Sequence, residues 1–243
     1  MNGIDCFFEG FRLVRKPGLR QYVLIPLFIN IVVLSVVMYY GVGQYDALAA
    51  WISGWLPDWL AFLAGFLSFL AAVIIFAIGI YLFTIIANII SSPFNSILAE
   101  KVEERLVPGL VRASPGLMVI LGRSVAREFS KLLYLLPRLL GLLVLSVIPV
   151  FNAIAPFIWI LFGAWMMAIQ YADYGADNNQ LSFQALRVRL GRSKLQALMF
   201  GLVVYFLLAI PIVNLFLIPI AVAGGTVLWV THLSTGSKPT PDR

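Results

Sequence analysis

Residues that build metal sites, disulfides and redox centres are nearly absent from this sequence. Cys6 is the only cysteine and His232 the only histidine, so no intrachain disulfide can form and no Cys/His metal cluster is expected. The chain also lacks a P-loop, a nucleophile elbow and a metal-ligand motif. We therefore predict no catalytic residue, no metal site and no cofactor.

Charged residues are also scarce, and their distribution is uneven. They make up 12% of the chain, against about 25% in soluble domains, while hydrophobic residues make up 61%. No lysine or arginine occurs between Arg20 and Lys101, and the other cations form clusters between long apolar runs. This pattern indicates a membrane protein and not a nucleic-acid-binding one, despite the net charge of +6. The clusters fall on one face, which the positive-inside rule predicts to be cytoplasmic together with both termini.

Helical periodicity and helix-breaking residues divide the chain, predicted as one membrane domain over residues 1–243, into eight segments. They are an amphipathic helix (1–17), two long transmembrane helices (19–50 and 59–107, the second with a charged extension), a basic amphipathic helix (115–138), a first hairpin (139–173), a basic connector (180–195), a second hairpin (196–233) and a flexible tail (234–243). The first helix either lies along the membrane surface or packs on the bundle. Ser92-Pro93 has the form of a helix start.

Each predicted hairpin turns at a repeated motif. Ile148-Pro149-Val150-Phe151-Asn152 and Ile210-Pro211-Ile212-Val213-Asn214 both interrupt apolar runs, and a second proline follows each motif. The flanking legs are shorter than the ~20 residues of an upright span, which favours hairpins that enter the membrane and turn back. Four short but complete helices with external turns are the alternative. The predicted fold class is an all-α integral membrane protein, with two long transmembrane helices, two half-membrane hairpins and amphipathic interfacial or cytoplasmic helices.

Residues 15–22 combine three cations, a helix break at Pro17-Gly18 and the start of a helix at about Leu19. The first backbone N–H groups of a helix lack intrahelical partners and lie at the positive end of its dipole, so they suit an anion. Arg20 adds a planar set of donors that matches an oxyanion. We predict an anion site here. The alternative is a cluster of cations that merely lies among lipid headgroups.

Polar side chains recur near one end of the two long helices and predict a path for the anion. Amides, hydroxyls and guanidiniums can replace the water around an oxyanion, although interhelical hydrogen bonding explains each residue taken singly. The candidates are Asn30, Asn88, Ser91, Ser92, Asn95, Glu103 and Arg105.

A second function class remains open. Arg123, Arg127 and Lys131 recur every four residues and form one basic stripe. In a non-transport membrane scaffold, this stripe would hold anionic lipid. A membrane-embedded enzyme acting on lipid is disfavoured because a nucleophile or metal set is missing.

Three motifs resemble the CysZ sulfate permease family in their order and spacing. They are Gly18-Leu19-Arg20, Ser92-Pro93-Phe94-Asn95 and Leu98-Ala99-Glu100-Lys101-Val102-Glu103. The resemblance covers essentially the whole chain. It implies a bacterial inner-membrane protein that imports sulfate for cysteine biosynthesis, is not an enzyme, and forms a homo-oligomer (a dimer or an assembly of dimers). The antiparallel pairing that it also implies conflicts with the one-sided cations.

The resemblance places sulfate on the backbone of Gly18, Leu19 and Arg20 and on the Arg20 side chain. Some members carry a second arginine after this motif, where this chain has Gln21, so Gln21, Arg15 or Lys16 completes the predicted site. Residues 15–22 contain no acid, as suits a dianion that only accepts hydrogen bonds. The membrane part of the long helices lacks a carboxylate, which favours a passive or gradient-driven path.

Overall fold

The computed structural model describes residues 1–109 and 117–234, and this part of the chain is helical with no strand. The helices are α1 (Gly3–Val14), α2 (Gln21–Gly43), α3 (Tyr45–Trp55), α4 (Ala61–Leu106), α5 (Leu117–Val147), α6 (Pro149–Asn152), α7 (Ala155–Asn178), α8 (Phe183–Arg192), α9 (Lys194–Leu208) and α10 (Pro211–Leu228). A 3₁₀ turn precedes α4 (Asp58–Leu60), and a π-helical turn follows α10 (Trp229–Leu233). Of the tail predicted over 234–243, residues 235–243 lie outside the described residues.

Several of these helices are long and apolar enough to cross a membrane. Five qualify within the described residues: Gln21–Trp55, Phe62–Tyr81, Val125–Val147, Ala155–Asn178 and Phe216–Leu233. A sixth candidate is the pair α8 and α9, which meet at an angle of 103°. The prediction of an all-helical, multi-pass membrane protein is therefore confirmed.

The chain forms two compact units, one of which is Leu24–Ser92. Within it α2 and α4 run antiparallel, since Asn30 is hydrogen-bonded to Ser91 while Val37 lies beside Gly79. Many of its described apolar side chains are exposed, as expected where lipid and not protein surrounds a helix. The predicted first long helix is interrupted at Gln44, where α2 gives way to α3.

The other unit contains residues 1–23 and the described residues from 93 onward. Its centre is formed by α1, α7, α9 and α10, with Leu13, Phe200 and Trp229 among the fully buried side chains. A capping box in which Asn2 and Asp5 bond each other's backbone N–H begins α1. Cys6, Phe7 and Leu13 face the core, so α1 packs on the bundle, one of the two arrangements that the sequence left open.

Glycines allow the helices of this unit to approach closely. A Cβ on Gly10 would meet the backbone of Gly224, and one on Gly201 would meet the backbone of Ala164. Small residues are the usual means by which helices pack in membranes, where no hydrophobic driving force acts between them.

Further features of the helices differ from those predicted. The helix α4 passes through Pro93, so Ser92-Pro93 does not begin a helix; prolines are tolerated inside membrane helices. The basic helix and the first hairpin leg, predicted to meet at 138/139, are one helix, α5, with Pro137 inside it. The repeated motifs also diverge, since Pro156 lies in the first turn of α7 while Pro219 lies inside α10.

Candidate anion-binding site

A tight turn joins α1 to α2 and contains the predicted anion site. Gly18 has φ +87°, a left-handed conformation that glycine adopts without strain. The N–H groups of Leu19 and Arg20 both donate to the carbonyl of Lys16, at 3.2 and 3.3 Å. The Leu19 side chain is buried in the core and anchors the turn. A Cβ on Gly18 would meet no atom within 4 Å, so open space adjoins the turn.

Cations surround this turn. The side chains of Lys16, Arg20 and Gln21 are exposed, and the Arg15 guanidinium lies 5.2 Å from the centre of the Phe11 ring. The structure brings a further cation here, because Nη1 of Arg105 donates to the carbonyl of Pro17 at 3.3 Å. Within the described residues Arg15, Lys16, Arg20 and Arg105 form no ion pair with a carboxylate. Arg105, predicted for the path, thus lies beside the turn predicted to bind the anion.

The other predicted path residues are distributed over both units. In the Leu24–Ser92 unit, Nδ2 of Asn30 donates to Oγ of Ser91 at 3.1 Å, an interhelical hydrogen bond of the kind stated as the alternative. Nothing in the described part of the chain hydrogen-bonds the buried Oδ1 of Asn30. The side chains of Asn88 and Ser92 lie outside the described atoms. Asn95 is buried in the other unit, where it is hydrogen-bonded to Tyr174.

Glu103 joins three elements of the larger unit. It is only 3% exposed, and its carboxylate accepts hydrogen bonds from Asn179 (3.0 and 3.1 Å) and from the indole N–H of Trp229 (3.2 Å). These contacts tie α4 to the end of α7 and to the π-helical turn. Because a buried carboxylate is costly without such donors, this geometry supports a structural role for Glu103.

Lys101 and Glu104 form an exposed pair one turn apart on α4, with Nζ 2.8 Å from the carboxylate. The hydrogen bond to Glu104 raises the pKa of Lys101, so this ammonium is charged at any physiological pH.

The basic stripe is paired with two aspartates on α7 that the sequence reasoning missed. Asp173 accepts from Nε of Arg127 at 3.1 Å and lies 2.9 Å from Nζ of Lys131. Asp177 lies 3.7 Å from Arg127 and 3.8 Å from Arg123. The side chains of Arg127, Lys131 and Asp173 are 13%, 8% and 6% exposed. Arg127 and Lys131 are therefore paired inside the protein and are not available for the lipid binding considered as an alternative, while the Arg123 side chain is 30% exposed.

The sequence did contain a signal for this network. Asp173 and Asp177 are four residues apart, the same spacing as the three cations, so both sets occupy one face of a helix.

Comparison with known proteins gives the chain's relationships. The family described as "Sulfate transporter CysZ/Etoposide-induced protein 2.4" matches residues 6–219. The chain belongs to this family. Proteins named sulfate transporter CysZ are 44% identical in Pseudomonas syringae pv. tomato (98% of this chain, 96% of the relative) and 42% identical in Vibrio cholerae (98% and 96%). One from Pseudomonas aeruginosa is 42% identical (95% of each).

The predicted membership of the CysZ family is thus confirmed. The family is one of transporters, which agrees with the prediction that the chain is not an enzyme.

Proposed function

We propose that this protein is a sulfate permease that captures the anion at the turn between α1 and α2. The observation that carries the site assignment is the grouping of four cations, which have no carboxylate partner among the described residues, around an open, left-handed glycine turn. The names of the relatives support sulfate as the substrate. Gly18, Leu19, Arg20 and Gln21 would form the backbone of the site, and Arg15 and Arg105 its flanks.

The chemistry of the turn suits a fully deprotonated oxyanion. Sulfate accepts hydrogen bonds and donates none, so its site needs donors and gains nothing from a nearby carboxylate. The guanidiniums of Arg15, Arg20 and Arg105 each offer a planar set of donors. Among the described residues, the N–H groups of Gly18 and Gln21 donate no backbone hydrogen bond in this turn, so they can donate to a ligand.

The hairpins would remain inside the membrane as re-entrant elements. At the tip of the first hairpin Val147 and Val150 are each 82% exposed, and Phe157 and Ile154 are exposed as well. Such a cluster of exposed apolar side chains is unfavourable in water and favourable in lipid or against another protein. Irregular backbone at membrane depth needs protein or water around it, so tips of this kind are expected to contact protein or to border the anion path.

The cellular setting follows from the relatives and from the charge distribution. We propose a bacterial inner-membrane location, with cytoplasmic termini and a role in sulfate supply for cysteine biosynthesis. Homo-oligomerisation, as a dimer or an assembly of dimers, belongs to the same proposal.

Uptake of labelled sulfate into liposomes that contain the purified chain tests the function, and an Arg20→Gln variant tests the site. Hydrogen bonds to charged groups contribute about 1.5–3 kcal/mol, so we expect the variant to bind sulfate at least about tenfold more weakly. Arg12→Gln is the matched control. It also removes one positive charge, but from α1, where Glu9 already pairs with Arg12.

The two parts of the proposal fail separately. Absence of sulfate uptake by the unmodified protein would reject the function. Uptake with an affinity that Arg20→Gln does not change would reject only the site.

A further inference from the structure

Two guanidiniums lie against one tyrosine ring at the junction of α5, α7 and α8. Cζ of Arg138 is 3.6 Å from the centre of the Tyr134 ring, and Cζ of Arg187 is 4.7 Å from it. Because the two guanidiniums lie against the same ring, their Cζ atoms are at most about 8 Å apart. The indole N–H of Trp165 donates to the Tyr134 hydroxyl at 3.1 Å and fixes the ring.

Neither arginine has a counter-ion in the described part of the chain. Arg138 donates only to the carbonyl of Tyr134, one turn earlier on α5. Arg187 makes no hydrogen bond there, and its Nε is buried without a partner. By contrast, Arg127 on the same helix α5 is bonded to Asp173 through both its Nε and its Nη2. Buried donors are nearly always satisfied, so the Arg138–Arg187 pair lacks an acceptor.

The position of Arg138 along α5 indicates what that acceptor is. Arg138 is the last charged residue before Asp173, and the turns of α5 that follow expose apolar side chains such as Leu140 (60%) and Val144 (65%). In the proposed re-entrant arrangement the membrane part of α5 begins after Arg138, so Arg138 lies where hydrocarbon gives way to headgroups. The connector that carries Arg187 also contains Arg189, Arg192 and Lys194 and has no acidic residue.

We propose that Arg138 and Arg187 form a binding site for the phosphate of an anionic phospholipid. Guanidiniums bind phosphate oxygens through paired, charge-assisted hydrogen bonds of about 2.7–2.9 Å, and the two that lie against Tyr134 each offer such a set of donors. Basic pockets between membrane helices at headgroup depth are a recurring form of lipid recognition. The site shares no residue with the turn at Gly18 and is independent of the proposed sulfate transport.

Native mass spectrometry of the full chain in detergent tests this site with phosphatidylglycerol and phosphatidylcholine of the same acyl chains. We expect the unmodified protein to retain phosphatidylglycerol preferentially, and Arg138→Gln/Arg187→Gln to lower that retention at least about tenfold. The matched control, Arg192→Gln/Lys194→Gln, removes the same charge from exposed positions of the same region and should leave retention within about twofold of the unmodified protein, since neither residue belongs to the proposed pair.

Three outcomes would overturn the proposal. Equal losses in the two double variants would mean that diffuse surface charge attracts the lipid. Displacement of phosphatidylglycerol by millimolar inorganic phosphate or sulfate would mean that the site holds a soluble anion. If the double variant does not fold, Arg138→Gln alone alters an exposed side chain, and unchanged lipid retention in that variant would equally reject the site.

Discussion

At Gly18 the backbone has a conformation that other residues reach only at a cost. Its φ of +87° is close to that of Gly109, with φ +84°, and neither glycine has an atom within 4 Å of the position a Cβ would take. A side chain at either position therefore meets strain without a clash, about 1–2 kcal/mol for the left-handed region. What separates the two positions is their surroundings, because only Gly18 precedes Leu19 and Arg20.

This pair of glycines allows a controlled test of the turn. We expect Gly18→Ala to weaken sulfate binding, since relief of the strain would shift Arg20, whereas Gly109→Ala should leave binding unchanged. Both variants should lower the free energy of unfolding by a similar amount, about 1–2 kcal/mol. Sulfate titration and chemical unfolding of the two proteins measure these effects. If both variants lost sulfate binding, backbone strain at either glycine would be enough to abolish it, and the result would not support a site at Gly18.

Cys6 is unsuited to chemistry despite being the only thiol. It is fully buried, with its Sγ 3.7 Å from Oγ1 of Thr231, and burial raises its pKa above the ordinary value of 9.0. The thiol is therefore uncharged at neutral pH and reacts slowly, because only the thiolate is a good nucleophile. Cysteines introduced elsewhere can consequently be labelled with little interference from Cys6.

At the scale of the helices, the contact between α5 and α7 depends on buried charge. Asp173 faces both Arg127 and Lys131. Loss of its carboxylate therefore leaves two nearly buried cations without this partner. Breaking a buried pair from one side costs about 3–5 kcal/mol, whereas an exposed pair contributes about 0–1 kcal/mol.

We therefore expect Asp173→Asn to lower the free energy of unfolding by about 3 kcal/mol or more. Glu104→Gln, which breaks the exposed pair with Lys101, should cost about 1 kcal/mol or less. Unfolding of both variants in the same detergent gives the comparison. Similar stability of the two proteins would contradict the interior position of the Asp173 network.

The sequence predicted which segments are helical more easily than it predicted whether neighbouring segments form one continuous helix. The second long helix, predicted over 59–107, is Ala61–Leu106, because the apolar run and Pro108-Gly109 define its ends. The predicted division at 138/139 is absent, because the change from basic to apolar residues does not break a helix and Pro137 is accommodated inside α5. Composition changes where a helix enters lipid, while its hydrogen bonding continues.

The candidate site was predictable only in part, for a related reason. Arg20 was found because its segment carries a local pattern of cations, proline and glycine. Arg105 reached the same turn through a contact across 88 residues, and the Asp173 pairs span 46 or fewer, so tertiary packing created both. Spacing on one helix restricts which partners are possible, but it does not fix which helices meet.

For the whole molecule, the depth of the hairpins determines how many times the chain crosses the membrane. If the first hairpin turns back inside the bilayer, a cysteine at Val150 should not react with a membrane-impermeant maleimide on either side of sealed vesicles. Labelling should appear after denaturation in SDS. Gln184→Cys, at an exposed position of α8, is the accessible control. Labelling of Val150→Cys only from the side opposite to Gln184→Cys would show that the hairpin crosses completely.

The order of synthesis gives the Arg127–Asp173 contact a further consequence. Arg127 leaves the ribosome 46 residues before Asp173, an interval of about 2–9 s at the usual rates of translation. During those seconds Arg127 has no aspartate opposite it, the condition under which positive residues orient a nascent membrane segment. Once α7 arrives, Asp173 pairs with Arg127, so a charge that acts during insertion becomes part of a buried ion pair in the finished protein.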